Sequence, residues 1–241
     1  MLWHKVSVSS EEAAGMDLLA RTAVDEISDG MTVGVGAGKT ASRAIREIAA
    51  RVESADLHGI TVVPASDAAE KVCLELGLSV AESSSFESID VLLDGADEVD
   101  EKMRMIKGSR GAVARERIIA AASARRIYLV PESKLSPRIG TNSALAVAVM
   151  PFGVASTRQA ILSVGLHGLL RRDLNGNLLV TDNANLIVDV SLPATEDYAA
   201  LANALDAIPG IVEHGLFLDE ADEIMVERSE GVIDRMVRSS D

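Results

Sequence analysis

The stretch Ile89-Asp-Val-Leu-Leu-Asp-Gly-Ala-Asp-Glu-Val-Asp100 decides the fold. Its first five residues are almost wholly apolar and have no helical period, which is typical of a buried strand in a parallel sheet covered on both faces. Asp94 and Asp97 follow this strand at its carboxyl end, where open α/β sheets place their ligand crevices. The stretch therefore predicts an α/β protein with a candidate site at this strand end.

A lysine, a glycine-bearing loop and a glutamate come next, in Met105-Ile-Lys-Gly-Ser-Arg-Gly-Ala-Val-Ala-Arg-Glu116. Residues 112–124 are predicted to form a helix, so the loop 108–111 would lie at its amino end with backbone N–H groups facing an anion. Together with the two aspartates, Lys107 and Glu116 predict a catalytic site. The alternative is a solvated acidic turn followed by an ordinary helix, because motif matches are hypotheses.

A second glycine loop, Gly34-Val-Gly-Ala-Gly-Lys-Thr40, joins a predicted strand at 32–35 to a helix. Such a loop suits phosphate, because glycines let the backbone approach an anion and the helix offers its N–H groups. A Walker A loop would need one more residue, and a dinucleotide loop would need a third glycine where Lys39 stands. A phosphate monoester bound by Lys39, Thr40 and backbone amides remains, beside the alternative of a plain tight turn.

Strands alternate with helices along the first 135 residues, a pattern that predicts a doubly wound, mostly parallel, Rossmann-like sheet. A helix with capping-box spacing at residues 9–12 is expected to run towards Gly30. Ser66 or Asp67 is the expected N-cap of a helix after strand 60–64. The carboxyl ends of four predicted strands would line one rim of the sheet, at Gly36, Ala65, Asp94 and Glu132.

From about Ser136 the order becomes β-α-β-β-α-β, that of a split βαβ, ferredoxin-like module. Residues 145–149 alternate like a half-buried strand, and Asn175-Gly176 is a strong hairpin signal. We therefore expect a small inserted α+β domain at 136–211 and a large catalytic domain at 1–135 and 212–241. Residues 216–218 and 224–226 are expected to return to the large sheet, and the polar segment 228–241 to fray at its end.

Composition limits the partners. The formal net charge of −14 argues against nucleic acid or an anionic membrane as a partner, although a local loop can still bind a small anion. The single cysteine, Cys73, and four histidines without ligand spacing give no reason to expect a metal. With no signal peptide and no run of about 18 apolar residues, a soluble cytoplasmic protein is expected.

Over nearly its whole length the chain resembles the ribose-5-phosphate isomerase A family. The segments that carry the resemblance are Gly34–Thr40, Ala65–Asp67, Asp94–Glu98, Met105–Gly108 with Arg115-Glu116, Ser133-Lys134, Thr181–Asn183 and Ile208–Ile211 with Gly215–Phe217. The resemblance implies an isomerase without cofactor or metal, commonly a homodimer or homotetramer. Its substrates would be ribose 5-phosphate and ribulose 5-phosphate of the pentose phosphate pathway.

The resemblance also implies residue roles. Glu116 would be the base, Lys107 and the amides of 108–111 would stabilise the oxyanion, and Asp94 would help to open the furanose ring. Asp97 would bind sugar hydroxyls or steer Lys107, while Thr40 and Lys134 would hold the phosphate. The expected substrate-binding residues are Gly36, Gly38, Lys39, Thr40, Ser66, Asp67, Gly108, Ser109, Arg110, Gly111 and Lys134.

Two departures keep other functions open. Lys39 stands where the family has a phosphate-binding serine, and Ser109-Arg110 stand where it has glycines. Arg110 could pair with Asp97 or Asp100, or meet an extra anionic group on another substrate. A paralogue acting on another sugar or sugar phosphate is therefore an alternative. A non-catalytic sugar-phosphate sensor is a weaker one, because no basic helix-turn-helix segment is present.

Overall fold

The computed structural model describes residues 2–6, 17–195 and 197–238, and these ranges contain fifteen β-strands and six α-helices. The helices are α1 Leu18–Val24, α2 Lys39–Glu53, α3 Asp67–Glu75, α4 Val113–Ala122, α5 Val154–Ser163 and α6 Tyr198–Asp206. The strands are β1 Leu2–Val6, β2 Thr32–Val35, β3 Thr61–Pro64, β4 Ser79–Val80, β5 Ile89–Gly95, β6 Glu98–Val99, β7 Met105–Ile106, β8 Ser123–Pro131, β9 Leu145–Val149, β10 His167–Leu170, β11 Leu186–Ser191, β12 Ile211–His214, β13 Leu216–Phe217, β14 Glu223–Glu227 and β15 Ile233–Val237.

The chain forms two compact units. The first contains the chain up to Ala96, then Ile118–Lys134, then the chain from Asp219 onward. Its described strands form one sheet in the order β1-β15-β14-β8-β5-β2-β3-β4. Strands β14 to β4 in this order run parallel, whereas β15 and β1 are antiparallel to their neighbours. The predicted α/β fold with a mostly parallel sheet is confirmed.

Helix α2 shows how the first unit builds its core. Ala44, Ile45 and Ile48 recur at helical spacing and are wholly buried against the sheet residues Val33 and Val35. Burying a side chain the size of isoleucine contributes about 1.5–3 kcal/mol. The same core covers one face of β2 and β5, so the strand ends that carry the candidate site are held by aliphatic packing.

The second unit contains Asp97–Arg117 and Leu135–Leu218, and so includes all of the segment 136–211 that was expected to form the small domain. Its larger sheet is antiparallel, in the order β10-β11-β9-β12. With α5 and α6 this gives the chain order β-α-β-β-α-β, so the predicted ferredoxin-like module is confirmed. A three-stranded sheet, β13-β7-β6, completes the unit.

Some element predictions were wrong. Every residue of β9 is buried, not every second one, because Gly215 donates its N–H to the carbonyl of Ala146 (2.8 Å) and Gly108 packs on the Ala146 methyl. Strand β13 pairs with β7 and does not return to the large sheet.

At the two ends of the chain, further elements differ from the predictions. Strand β14 joins the large sheet as expected, and β15, which the polar composition concealed, pairs beside it through buried Ile233 and Met236. Strand β1 was also not predicted, and the capping box expected at 9–12 lies outside the described residues. Within the described residues, helix α1 begins after Asp17, whose side chain accepts a hydrogen bond from the amide of Ala20 (3.0 Å).

Candidate functional site

In the first unit, four neighbouring parallel strands end along the same edge of the sheet. Val35 pairs with Pro64 on one side and with Leu93 on the other, and Leu93 pairs in turn with Ile127. The residues that follow these strands therefore come to one rim, which is the usual ligand-binding edge of an open α/β sheet.

The glycine loop ends at the amino terminus of α2. Gly38 has φ 98°, a left-handed conformation that favours glycine, and it is the N-cap residue. Within the described structure no side chain caps this helix, and its first turn contains no acidic residue. Lys39 is exposed at the first helical position. The amide donors, the helix dipole and this ammonium together make an electropositive end suited to an anion.

The Asp94 carboxylate lies directly against the backbone of Gly36. A Cβ placed on Gly36 would lie 1.6 Å from Oδ1 of Asp94, so a larger residue at position 36 would force the carboxylate or the loop to move. Asp94 is fully buried, and its Oδ1 accepts a hydrogen bond from the amide of Gly95 (2.6 Å). The Thr40 side chain also lies close to Gly95. Of the predicted residues, Gly36, Thr40 and Asp94 are thus brought together.

The other predicted residues of this unit differ in their surroundings. Ser66 is buried and is the N-cap of α3, because its hydroxyl accepts a hydrogen bond from the amide of Ala69 (3.1 Å). The next residue, Asp67, is exposed at the start of that helix. Lys134 is half-buried at the end of a short 3₁₀ turn, Glu132–Lys134, which follows β8. Ser66 therefore already has a structural function as a helix cap.

In the second unit, Lys107 and Glu116 form a buried ion pair. Nζ of Lys107 lies 3.2 Å from Oε1 of Glu116, and their residues are 2% and 4% exposed. Lys107 directly follows β7, and its amide donates to the carbonyl of Gly215 (3.0 Å), whereas Glu116 lies in the first turn of α4. The Phe217 ring packs near the ammonium, 5.7 Å from its centroid. Little water surrounds these charges, so their interaction is stronger than at a surface.

The loop 108–111 forms a turn closed by a hydrogen bond from the amide of Gly111 to the carbonyl of Gly108 (2.9 Å). The Asp97 carboxylate accepts hydrogen bonds from Ser109, through the backbone amide (2.9 Å) and the hydroxyl. Arg110 is exposed at the turn. The partner of the Asp100 carboxylate is Arg104, with Nη2 at 2.6 Å. The structure thus pairs both candidate carboxylates with residues other than Arg110.

Comparison with known proteins identifies the family. The family model described as ribose 5-phosphate isomerase A (phosphoriboisomerase A) matches residues 61–231. A ribose-5-phosphate isomerase A from Roseiflexus castenholzii is 39% identical over 215 residues, which cover 89% of this chain and 92% of the relative. The chain belongs to the ribose-5-phosphate isomerase A family.

Solved members of the isomerase family share the fold. A ribose 5-phosphate isomerase from Plasmodium falciparum has a TM-score of 0.88 at 28% identity, over 93% of this chain and 100% of that one. A D-ribose-5-phosphate isomerase in complex with phospho-erythronic acid also has a TM-score of 0.88, at 30% identity, over 96% of this chain and 100% of that one.

Two features of this isomerase-family chain were missed by sequence reasoning. Glu98 is wholly buried and accepts four backbone hydrogen bonds, from the amides of residues 140–143 at 3.0–3.1 Å. Arg171 donates to the carbonyls of Gly108 (3.0 Å) and Ser109 (2.8 Å). Glu98 gave a signal, since a charge beside a buried strand needs partners. Arg171 gave none, because its sequence neighbours describe an ordinary hairpin.

Metal and membrane features can be stated for the described ranges only. Among those residues, no group of three or more His, Cys, Asp or Glu could hold a metal ion. None of the helices described is both long enough and apolar enough to cross a membrane.

Proposed function

We propose that this chain interconverts ribose 5-phosphate and ribulose 5-phosphate through an enediolate, with Glu116 as the base. The observation that carries the proposal is the buried Lys107–Glu116 pair, 3.2 Å apart. Exchange between an aldose and a ketose needs one base that moves a proton between C2 and C1, and a group that stabilises the intermediate oxyanion. A carboxylate and an ammonium held side by side supply both.

The proton transfer balances with these groups alone. In the open-chain aldose, Glu116 takes the proton from C2, and the electron pair moves to the carbonyl oxygen at C1 to give the enediolate. Lys107 and the amides of Gly108 and Arg110 in the loop 108–111 stabilise that negative oxygen, since the Ser109 amide donates to Asp97 and the Gly111 amide to the carbonyl of Gly108. Glu116 then returns the proton to C1, while Lys107 gives a proton to the oxygen at C1 and takes the hydroxyl proton from the oxygen at C2, where the carbonyl forms. The carboxylate ends the cycle ionised, ready for the next turnover.

The remaining roles follow the chemistry of each residue. Asp94 serves as the acid–base group in opening the furanose ring, and Asp97, held by Ser109, orients the loop or a sugar hydroxyl. Lys39, Thr40, Lys134 and the uncapped amides of α2 bind the phosphate. The bound phospho-erythronic acid of the related isomerase supports these roles, because it combines a phosphate ester with a carboxylate in one small molecule.

One observation favours a second candidate substrate. Arg110 is exposed at the tip of the 108–111 turn, with Asp97 and Asp100 bonded to other residues. Its guanidinium could therefore pair with an additional anionic group on a different sugar phosphate. Under this proposal the same proton transfer runs on a substrate that ribose 5-phosphate only partly resembles.

We further propose that the chain acts in the cytoplasm as a homodimer or homotetramer. The support within the second unit is β10, an edge strand whose Leu169 is 74% exposed. An edge strand with exposed apolar side chains is a natural surface for pairing with a second copy. Light scattering on the purified protein measures the subunit number, and a monomer at micromolar concentration would contradict this proposal.

The deciding experiment is the substitution Glu116→Gln, which removes the base and keeps the shape. We expect turnover of ribose 5-phosphate to fall by about 10²–10⁴-fold. Deuterium exchange at C2 in heavy water should be lost to the same extent, and substrate binding should remain. The exposed Glu101→Gln is the matched control and should behave as wild type. A Glu116→Gln variant with most of its turnover would remove Glu116 from the mechanism.

Substrate identity is tested separately, with a panel of aldose phosphates and free aldoses assayed for ketose formation in the presence of a chelator. The proposal expects the highest kcat/KM for ribose 5-phosphate. A better substrate that carries a second anionic group would favour the Arg110 alternative, and Arg110→Gly should then shift the preference back to ribose 5-phosphate.

A further inference from the structure

Residues 171–185, between β10 and β11, form a hairpin. Arg171 connects this hairpin to the loop that follows Lys107. Its Nη1 donates to two successive carbonyls, those of Gly108 (3.0 Å) and Ser109 (2.8 Å). Its remaining nitrogens pair with the carboxylate of Asp189 on β11, through Nε at 2.9 Å and through Nη2. The guanidinium is thus fixed on one side by an aspartate and holds two peptide groups on the other.

Holding a carbonyl also orients an amide. In a trans peptide the C=O and the N–H of the same plane point in opposite directions, and the described chain has no cis peptide. The carbonyl of Gly108 faces Arg171, and the amide of the same peptide, on Ser109, accordingly points away and donates to Asp97 (2.9 Å). The carbonyl of Ser109 is held in the same way, which turns the amide of Arg110 away from Arg171.

We propose that Arg171, held by Asp189, is a positioning residue that sets the peptide planes of the oxyanion-stabilising loop 108–111. The inference rests on the proposed role of that loop in the isomerisation. Arg171 does not touch the substrate. It fixes the direction of the Ser109 and Arg110 amides, and through Ser109 it also fixes the Asp97 carboxylate.

Other contacts of the same hairpin agree with this function. A Cβ on Gly111 would meet the side chain of Leu179 at 3.3 Å, so the hairpin also packs on the far end of the loop. Arg115, next to the proposed base, donates to Asn183 (2.7 Å). The hairpin therefore contacts the loop at its start and at its end, and Arg171 supplies the charged contact.

The choice of arginine has a physical reason. One planar guanidinium can bind a carboxylate with two nitrogens and still donate to carbonyls on another edge, whereas a lysine ammonium is a single point charge. Because Asp189 balances the charge, Arg171 can orient the loop without adding a net positive charge. Arg171→Lys is therefore expected to retain the charge and lose the orientation.

The test compares Arg171→Ala and Arg171→Lys with Arg172→Ala. Arg172 is exposed, and among the contacts described its guanidinium donates only to the carbonyl of Gly176 within its own turn, so it is the matched control. We expect kcat to fall by about 10²-fold for Arg171→Ala, the effect of a misplacement of about 1 Å, with KM within twofold. The kcat of Arg171→Lys should stay below about a tenth of the wild-type kcat. Added guanidinium should partly restore the kcat of Arg171→Ala.

A second readout separates positioning from general damage. Phospho-erythronic acid carries a carboxylate that the loop amides would bind, so its inhibition constant should rise in parallel with the loss of kcat. Melting curves establish that the variants are folded, and Asp189→Asn, which loosens the guanidinium without removing it, replaces Arg171→Ala if that variant is unstable. It should show the same kcat-selective loss.

The outcomes are distinct. Wild-type kcat and inhibition in a folded Arg171→Ala would overturn the inference, as would an equal loss in Arg172→Ala or a loss confined to KM. The Glu116→Gln variant is assayed alongside. If it retains turnover, the proposed function fails, whereas an inactive Glu116→Gln beside an active Arg171→Ala refutes only the role of Arg171.

Discussion

The ammonium of Lys107 lies 3.2 Å from the carboxylate of Glu116, and both residues are almost fully buried. The two are brought together because Lys107 leaves the short strand β7 while Glu116 lies in the first turn of α4. Eight residues separate them along the chain, and the first four form the turn that is closed by the hydrogen bond from the amide of Gly111 to the carbonyl of Gly108. A base and a cation at this distance can serve one proton transfer.

Lys107→Met tests the cation. We expect kcat to fall by about 10²–10³-fold, as for loss of one oxyanion donor. The variant should also lose about 3 kcal/mol of unfolding free energy, because Glu116 becomes a buried charge without this partner. Adding Glu116→Gln should restore much of the stability and none of the turnover. Denaturant unfolding and steady-state kinetics measure both, and additive stability losses would argue against the pairing.

Lys39→Ala tests the phosphate-binding end of α2. We expect KM for phosphorylated substrates to rise by about tenfold with kcat little changed, because the ammonium is a movable point charge that has no part in the proposed proton transfer. Arg46→Ala removes an equal charge from an exposed position on the same helix and should leave KM unchanged. An unchanged KM for Lys39→Ala would make Lys39 an ordinary surface lysine.

Gly36→Ala tests the contact with Asp94. A Cβ at position 36 would lie 1.6 Å from Oδ1 of Asp94, so the carboxylate or the loop must move. We expect loss of most activity and a fall in unfolding free energy of about 1–3 kcal/mol, typical of overpacking. The comparison is Gly95→Ala, whose Cβ would make ordinary contact with Thr40 at 3.5 Å and should cost less stability. Equal losses in the two variants would show that close contact with Asp94 does not restrict position 36.

Glu98→Gln tests the anchor of the loop 140–143. A carboxamide has one acceptor oxygen, so about two of the four backbone donors would face an NH₂ group. Each unsatisfied buried donor costs about 1–3 kcal/mol, and we expect a loss of about 3 kcal/mol in chemical denaturation. Glu101→Gln, nearby and exposed, should be neutral. An unchanged unfolding free energy for Glu98→Gln would mean that the loop 140–143 does not depend on these hydrogen bonds for its stability.

Glu26→Gln tests one contribution to the acid stability of the first unit. Burial raises the pKa of the Glu26 carboxyl, but hydrogen bonds from Arg235 and Arg125 outweigh burial and hold the pKa below the ordinary value of 4.5. A lowered folded pKa stabilises the protein above the unfolded pKa, and this contribution is lost as the pH falls through the folded value. Glu26→Gln should therefore be less stable than wild type at pH 7.

The measurement for Glu26 is the unfolding free energy of both proteins from pH 7 downward. The difference in unfolding free energy between wild type and Glu26→Gln should stay constant at pH values above the ordinary pKa of a glutamate and decrease at pH values below it. A difference that widens in acid would show that the ion pairs with Arg125 and Arg235 do not set the pKa of Glu26.

Much of the fold could be predicted because local sequence patterns indicate its strands and helices. The apolar run at 89–93 and the alternation of strands and helices led to the parallel sheet, and Asn175-Gly176 with its flanking strands led to the smaller module. The prediction was wrong for 216–217 because a two-residue apolar strand carries no information about its partner. Strand β15 was missed because two consecutive polar residues, Asp234 and Arg235, interrupt the apolar alternation that would indicate a strand.

The residues of the candidate site divide in the same way. The sequence by itself placed Asp94 at a strand end, Glu116 near the start of a helix and Lys107 before the loop between them, and it carried the family resemblance. Only the tertiary structure decided that Glu98 holds four amides 42 to 45 residues away, and that Arg171 holds carbonyls 62 and 63 residues away. Periodicity and capping act within a few residues, whereas these bonds exist only after distant segments pack against each other.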